Sequence, residues 1–228
     1  MTPAAPAGFW RRYAAYTLDF TALGACATLL SWPWLLAGWH ASTGAATALT
    51  NTLRDSLVQA MAQGPQPDQL YTTLLQDPAV RSGADAVQSG LLAMLLPWLA
   101  TYAVIAALYH IAFERSGWQG SPGKHALALR VVDARTDGPT TPGQTVMRHV
   151  GGALSWLTLN LGHALAALPP QRRALHDYMA GARVVSSDAT APLPTWARAW
   201  LWLQVLVIVV ALAWLVQRDV SALQASLG

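Results

Sequence analysis

The chain has 228 residues, of which 54% are hydrophobic and only 11% are charged, and its formal net charge is +3. Soluble domains carry about a quarter charged residues, so this chain cannot cover itself with a hydrated surface and is expected to face lipid. Its basic residues flank apolar runs, which indicates membrane topology and attraction to anionic lipid rather than to nucleic acid. The single cysteine, Cys26, excludes an intrachain disulfide.

A Pro/Ala-rich start, residues 1–8, predicts a mobile tail. The apolar run 14–39 follows and is long enough to cross a bilayer, for which about 20 residues suffice. Pro33 predicts a kink near its far end. Aromatic side chains lie at both ends of this run, as expected at the two membrane interfaces: Trp10, Tyr13, Trp32, Trp34 and Trp39.

A cleaved leader is the alternative interpretation of this first run. Arg11 and Arg12 precede it, and residues 23–26 are similar to a lipoprotein cleavage box. However, Asp19 falls within the apolar core of such a leader, and the apolar run continues past Cys26. We therefore expect an uncleaved transmembrane helix.

A long connection, residues 40–89, is predicted to be polar, with short helices near 45–61 and 68–75. Residues 90–113 form the second predicted span, and residues 196–216 form an additional C-terminal span.

Two short runs rich in valine are predicted to be strands. Residues 127–134 alternate around Arg-Val-Val, and residues 182–187 repeat the same tripeptide. They could pair, which predicts a small cytoplasmic β-hairpin.

The apolar segment 150–168 contains glycines, Asn160 and His163, so it is interrupted. If it crosses fully, the four-span topology places eight of the 14 Lys and Arg residues on the cytoplasmic side. If it enters and returns as a re-entrant or interfacial helical pair, eleven lie there. The positive-inside bias favours the second topology. The predicted fold class is therefore an all-α membrane protein with three to four transmembrane helices, this helical pair and the small hairpin.

Charged residues within or beside the apolar runs are the candidate site, because such residues are costly in a bilayer and need partners. Arg12, Tyr16 and Asp19 share one helix face, as do His110 and Glu114. His176 and Asp177 lie in a basic segment that also contains Arg172 and Arg173.

Three groups of residues together resemble the RDD family, which is named for one arginine and two aspartates. They are residues 9–19 with Arg12 and Asp19; Glu114 with Ser121-Pro122-Gly123-Lys124 and residues 129–133; and residues 172–185 with Asp177. The resemblance covers about residues 9–187, whereas the long first connection, Ser121 in place of the more usual threonine, and the last span depart from the family pattern. It implies a multi-pass membrane domain, for which transport, including cation/proton exchange, is a proposed role.

Two interpretations of the polar set remain open. In the first, Asp19, Glu114, Asp177 and His176 relay a proton or small cation, since buried carboxylates and histidines can exchange protons near neutral pH. In the second, Asp19 and Asp177 are salt-bridged to Arg12 and the Arg172–Arg173 pair and lock the helices together. Lys124 and Arg172 are expected to face lipid headgroups.

Other chemistries have weak support. Residues 121–124 resemble a phosphate loop only superficially, because Trp118 occupies the position of its first glycine. The six histidines lack metal-ligand spacing. We expect no metal, no cofactor, no nucleic acid and no enzymatic activity. A membrane enzyme that acts on lipid is the third hypothesis, but no nucleophile in the sequence supports it.

The leading hypothesis is thus a bacterial inner-membrane protein with a cytoplasmic N-terminus, acting as a small transporter. Three or four spans form a thin pathway, so transport implies a homo-oligomer. The alternative is a non-catalytic scaffold whose basic cytoplasmic face binds lipid headgroups or a protein partner.

Overall fold

The computed structural model describes residues 5–62, 64, 67–158, 160–188 and 191–227, and the fold is mostly helical, at 76%. Two antiparallel strands accompany the helices. Together these features confirm the helical class of the prediction. The α-helices are α1 (Phe9–Leu30), α2 (Trp32–Ala62), α3 (Pro67–Gln76), α4 (Pro78–Arg115), α5 (Pro122–Ala126), α6 (Pro142–Leu157), α7 (Leu161–Ala164), α8 (Leu175–Met179) and α9 (Thr195–Leu227); the strands are β1 (Leu129–Asp133) and β2 (Ala182–Ser186).

Within the described residues, two helices, α4 and α9, are long and apolar enough to cross a membrane. A third span is added if α1 and α2, which meet at a bend of 75°, count as one broken span. Three spans would match the lower end of the predicted range of three to four, whereas two would fall below it. The segment 150–168 is not among them, because α6 has 16 residues and ends at Leu157.

The bend between α1 and α2 falls at Ser31, two residues before Pro33. Proline lacks the amide hydrogen that would bond to the carbonyl of Leu29, and its ring crowds that carbonyl. The predicted kink is therefore present, and its physical cause is the proline.

The connection 40–89 is far more helical than predicted. α2 continues without a break to Ala62, and α4 already begins at Pro78. Glycines let these two helices approach closely, since a Cβ on Gly38 would lie 2.7 Å from the Cβ of Met94. A Cβ on Gly90 would likewise lie 2.7 Å from the backbone nitrogen of Ser42. Close packing of two helices thus stabilises a segment whose polar composition had indicated a loop.

Residues 22–106 form one compact unit, and polar pairs join its helices. The Ser31 hydroxyl, fully buried, donates to Thr101 Oγ1 at 3.1 Å, and Trp98 Nε1 donates to Thr28 Oγ1 at 3.0 Å. Hydrogen bonds of this kind join helices in membranes without leaving a polar group against lipid.

We expect Ser31→Ala to lower the free energy of unfolding by about 0.6 kcal/mol, and by at most about 1.7 kcal/mol, because Thr101 loses its partner across the helix pair. The midpoint of thermal unfolding in detergent measures this effect. Ser82→Ala is the control, since this exposed hydroxyl bonds only to the backbone of its own helix. Equal midpoints for the two variants would contradict the assigned role of Ser31.

Residues 5–21 and 107–227 belong to the second compact unit, whose apolar core surrounds the sheet. β1 and β2 pair antiparallel, with Val131 opposite Val184, which confirms the predicted pairing. The strands are separated by α6, α7 and α8, so the pair is not a hairpin. Residues 5–7 of the predicted mobile tail also differ from expectation: Ala7 is fully buried and donates its amide to the Val184 carbonyl at 3.1 Å. Residues 1–4 of that tail lie outside the described residues.

The segment 150–168 is interrupted, as predicted, but only after Leu157 and not at Gly151-Gly152, the other place where the glycines could have broken the helix. α6 begins with a capping box between Thr141 and Gln144 and runs through Gly151 and Gly152. It ends before Asn160, whose left-handed φ of 63° redirects the chain. Gly151 instead permits close packing on α8, because a Cβ there would lie 3.0 Å from His176 Cα.

The last helix, α9, is joined to α1 by a polar contact. Trp200 Nε1 and Gln204 Nε2 both donate to Thr17 Oγ1, at 3.0 and 3.1 Å, and Ala197 is fully buried beside them. The additional C-terminal helix is therefore anchored to the first helix near its beginning.

Candidate functional site

Asp19 lies on α1 with its side chain facing protein, and only 4% of the residue is exposed. Three neutral donors bind its carboxylate. The Tyr109 hydroxyl and the Gly123 amide donate to Oδ1 at 2.7 and 2.8 Å, and the Ser121 hydroxyl donates to Oδ2. Within the described part of the chain, no cationic nitrogen lies within 4.0 Å of this carboxylate.

Proline and glycine in the first turn of α5 make this arrangement possible. Pro122 occupies the first turn of the short helix, where a missing amide hydrogen costs nothing. The next amide, that of Gly123, points at Asp19. A Cβ on Gly123 would lie 2.5 Å from the Ala15 carbonyl oxygen, so only glycine allows α5 to approach α1 this closely.

Asp177, the second aspartate, is completely buried on α8 and is ion-paired on both sides. Arg12 Nη2 lies 2.6 Å from Oδ2, and Arg148 Nη1 lies 3.1 Å from Oδ1. The backbone amide of Ala174 also donates to Oδ2 at 3.0 Å. The carboxylate thus connects three elements: α1, α6 and α8.

Arg148 and Lys124 extend these ion pairs toward Asp19. Arg148 Nε lies 3.4 Å from Glu114 Oε2, and Lys124 Nζ lies 3.4 Å from Oε1 of the same carboxylate. Lys124 Nζ also lies 3.5 Å from Ser121 Oγ, which binds Asp19. The contacts of Arg148 are charge contacts at ion-pair distance, not aligned hydrogen bonds. We call this connected set the polar network: Arg12, Asp177, Arg148, Glu114, Lys124, Ser121, Asp19 and Tyr109.

The structure brings together most of the residues that the sequence singled out. Arg12, Asp19, Glu114, Asp177 and Lys124 are in the polar network. His176 and Arg173 lie beside it, with His176 Nε2 3.3 Å from Asp177 Oδ1 and Arg173 Nη2 donating to the Asp177 carbonyl at 2.8 Å.

Three expectations about pairing need correction. Asp19 is not salt-bridged to Arg12, because the guanidinium is already held by Asp177 and by the Arg172 carbonyl, 2.7 Å from Nη1. The Arg172–Arg173 pair contacts Asp177 only through the backbone carbonyl that Arg173 binds. Lys124, expected to face headgroups, has its ammonium group against Glu114, whereas the side chain of Arg172 is exposed.

Arg148, Tyr109 and Ser121 were missed as site residues. Arg148 was counted only for topology, although a lone charge beside the apolar segment 150–168 is itself a signal of a buried partner. Tyr109 and Ser121 carried no such signal, since a tyrosine near a membrane interface and a serine in a turn are common.

Comparison with known families identifies the family of this chain. The profile of the RDD family matches residues 6–181, which is more than half of the chain and includes every member of the polar network. The chain belongs to the RDD family. No match was found among curated proteins or among solved structures.

The RDD family's second aspartate has a strongly perturbed acidity in this chain. Burial alone would raise the pKa of Asp177, but the charges of Arg12 and Arg148 outweigh burial and hold the pKa well below its usual range. Burial is also the largest influence on His176, and it lowers the pKa of this imidazole well below its usual value despite the neighbouring Asp177. His176 is therefore neutral at neutral pH, next to an ionised carboxylate.

The lowered pKa of His176 predicts that this RDD protein loses stability on mild acidification. Unfolded histidine titrates near pH 6.5. Between that pH and the lower folded pKa, the unfolded state binds a proton that the folded state does not, so stability falls as pH falls. We expect a loss of about 1–2 kcal/mol from pH 7 to pH 5, seen as a lower thermal unfolding midpoint.

His176→Gln should remove part of this dependence, because glutamine does not titrate. His125→Gln, on an exposed histidine of the same unit, is the control and should leave the dependence unchanged. The same pH profile in wild type and His176→Gln would contradict the assignment. Asp177 contributes only in stronger acid, since its folded pKa lies below its already acidic unfolded value.

Proposed function

We propose that this protein is a multi-pass protein of the bacterial inner membrane that moves a proton or small cation, with Asp19 as the ion-handling carboxylate. The observation that carries the proposal is the neutral surroundings of Asp19, a buried acid on a helix that enters the apolar part of the chain. A carboxylate held by hydroxyl and amide groups can gain a proton or contact a cation without first breaking a salt bridge.

Asp177 has the opposite surroundings and is assigned the opposite role. Its two arginine partners keep it ionised, and it has no exposed surface. We assign Asp177, with Arg12 and Arg148, to holding α1, α6 and α8 together. The acidic residues of the family motif then divide into one for ion handling and one for structure.

The proposed orientation places the N-terminus in the cytoplasm. The short α6 and the pairing of β1 with β2 favour a common compartment for the segments before and after residues 150–168. That topology gives eleven of the 14 Lys and Arg residues to the cytoplasmic side, in keeping with the positive-inside bias. With two or three spans per chain, the proposal includes a homo-oligomer that forms the pathway, and it includes no enzymatic step.

A non-catalytic scaffold is the second candidate. The observation that favours it is that Asp177 is ion-paired to both Arg12 and Arg148, as expected for a carboxylate that holds helices together. In a scaffold, Asp19 would serve the same purpose through Ser121 and Gly123, and the cytoplasmic face would bind a protein partner or lipid.

Cation-driven pH change in proteoliposomes separates the two candidates. We expect flux with wild-type protein and its loss with Asp19→Asn, while the thermal midpoint of this variant stays close to wild type because asparagine still accepts hydrogen bonds. Asp188→Asn, an exposed acid in the same unit, is the matched control and should keep full flux.

Absence of flux above empty liposomes for sodium, potassium and lithium, from wild type that is folded and correctly inserted, would reject transport. Full flux from Asp19→Asn would reject Asp19 as the ion-handling group.

A further inference from the structure

A cavity of about 390 Å³ lies outside the polar network, at the beginning of α1. Residues 8–11 form one wall, and the end of the interrupted segment at Ala167 forms another. Ser186 at the end of β2 and Leu193 before α9 also line the cavity. The cavity lies within the compact unit formed by residues 5–21 and 107–227.

Two arginines and no acidic residue line this cavity. Arg11 is only 8% exposed, and its guanidinium donates to three backbone carbonyls, those of Leu127, Ala191 and Pro192, at 3.1–3.3 Å. Arg172 is exposed. Among the described residues, no carboxylate lies within 4.0 Å of either guanidinium. Within the described residues, the cavity therefore has two guanidinium groups with no carboxylate at ion-pair distance.

The position of Arg172 directs this charge into the cavity. One of its guanidinium nitrogens, Nη1, lies 4.0 Å from the place where a Cβ on Gly8 would be. Arg172 and Gly8 are both cavity residues, so the guanidinium covers the cavity wall rather than extending away from it. An anionic group in the cavity would contact the Arg172 guanidinium directly and would also be attracted by the charge of the more buried Arg11.

The elements around the cavity indicate a position at the depth of lipid headgroups. α1 and α9 both begin beside it, and each then continues into an apolar stretch. Trp10, on the cavity wall, is 63% exposed, and Trp196, at the start of α9, is 46% exposed. Exposed tryptophans at the ends of apolar helices mark the membrane interface. A group bound here would thus sit between water and the hydrocarbon layer.

We propose that this cavity binds the phosphate of an anionic phospholipid. Arg172 would contact the phosphate oxygens, since a guanidinium matches their geometry. Phe9 and Leu193, which also line the cavity, would contact the glycerol and the first carbons of the acyl chains. This mixture of basic and apolar walls fits a lipid better than a free anion. The inference is independent of the proposed transport, because no member of the polar network lines the cavity.

Native mass spectrometry of the full chain in detergent, with added phosphatidylglycerol or phosphatidylcholine, tests the proposal. We expect phosphatidylglycerol adducts on wild type to exceed phosphatidylcholine adducts, and Arg172→Gln to bind phosphatidylglycerol about fivefold more weakly. Arg172→Lys keeps the charge but loses the planar guanidinium, so its affinity for phosphatidylglycerol should lie between those of wild type and Arg172→Gln. Arg130→Gln removes an exposed arginine outside the cavity and should bind as wild type does.

Equal binding by wild type and Arg172→Gln would overturn the proposal, as would the same loss in Arg130→Gln, which would indicate attraction to general surface charge. Inorganic phosphate is the second probe. If millimolar phosphate displaces the lipid adduct from wild type, the site is one for free phosphate and the lipid assignment is wrong. If phosphatidylglycerol stays bound, the acyl and glycerol contacts are supported. Thermal midpoints of the variants show that each is folded.

Discussion

Asp177→Asn is expected to lower the free energy of unfolding by about 3–5 kcal/mol, because it leaves the buried Arg148 and the partly buried Arg12 without their shared counter-charge. Arg12 and Arg148 both point at this carboxylate, at 2.6 and 3.1 Å, and the residue has no exposed surface. Because the neutral amide of asparagine fills the same volume, the decrease in the free energy of unfolding measures the lost charge and not a cavity. The yield of folded protein and the midpoint of thermal unfolding in detergent measure it.

The control is the ion pair between Arg183 and Asp137, which also joins distant parts of the chain but lies at the surface. Asp137→Asn removes one carboxylate there and should cost at most about 1 kcal/mol, since water and salt screen exposed pairs. If Asp177→Asn is no more damaging than Asp137→Asn, the ion pairs around Asp177 do not hold the helices together. The structural role assigned to Asp177, Arg12 and Arg148 would then be wrong.

Gly123→Ala is expected to destabilise the protein by about 1–3 kcal/mol through overpacking. The new methyl group would lie 2.5 Å from the Ala15 carbonyl oxygen and 2.7 Å from Asp19 Oδ1, so α5 must move away from α1. That movement lengthens the hydrogen bond from the Gly123 amide to Asp19, which is now 2.8 Å. We expect a lower thermal midpoint and, if Asp19 handles an ion, reduced flux in proteoliposomes.

Gly143→Ala is the matched control, because a Cβ at that position meets nothing within 4 Å and lies in the first turn of α6. Alanine favours helix more than glycine does, so this variant should be as stable as wild type or slightly more stable. Equal thermal midpoints for Gly123→Ala and Gly143→Ala would show that α5 and α1 leave room for a methyl group at position 123, contrary to the distances given above.

Together these two substitutions separate the two ends of the polar network. Asp177→Asn acts on charge at the end where α6, α8 and α1 meet. Gly123→Ala acts on packing at the end where Asp19 is held by neutral groups. If the protein is a transporter, the fraction of Asp177→Asn protein that folds should keep some flux, whereas displacement of Asp19 by Gly123→Ala should reduce the flux of folded protein. A scaffold should show stability losses at both ends and no flux at either.

Sequence alone determined the environment of this protein and much of its local structure. The shortage of charge required a lipid-facing surface, and apolar length identified helices α4 and α9 as spans. Pro33 located the bend after α1, and the repeated Arg-Val-Val runs identified the two strands and their pairing. These features depend on composition, length and single residues with special backbone chemistry, so they can be read along the chain.

The tertiary structure decided which charges meet. Arg12 pairs with Asp177 across 165 residues, while Asp19, seven residues from Arg12, is bound by Tyr109 and Ser121 instead. Local spacing placed Arg12 and Asp19 on one helix face, but it could not show that α8 would carry the closer carboxylate. The role of Arg148 also depended on packing, because it contacts both Glu114 and Asp177 only after three separate segments come together. A buried charge takes the partner that the folded chain brings nearest, and that distance is set by the packing of distant elements rather than by spacing along the sequence.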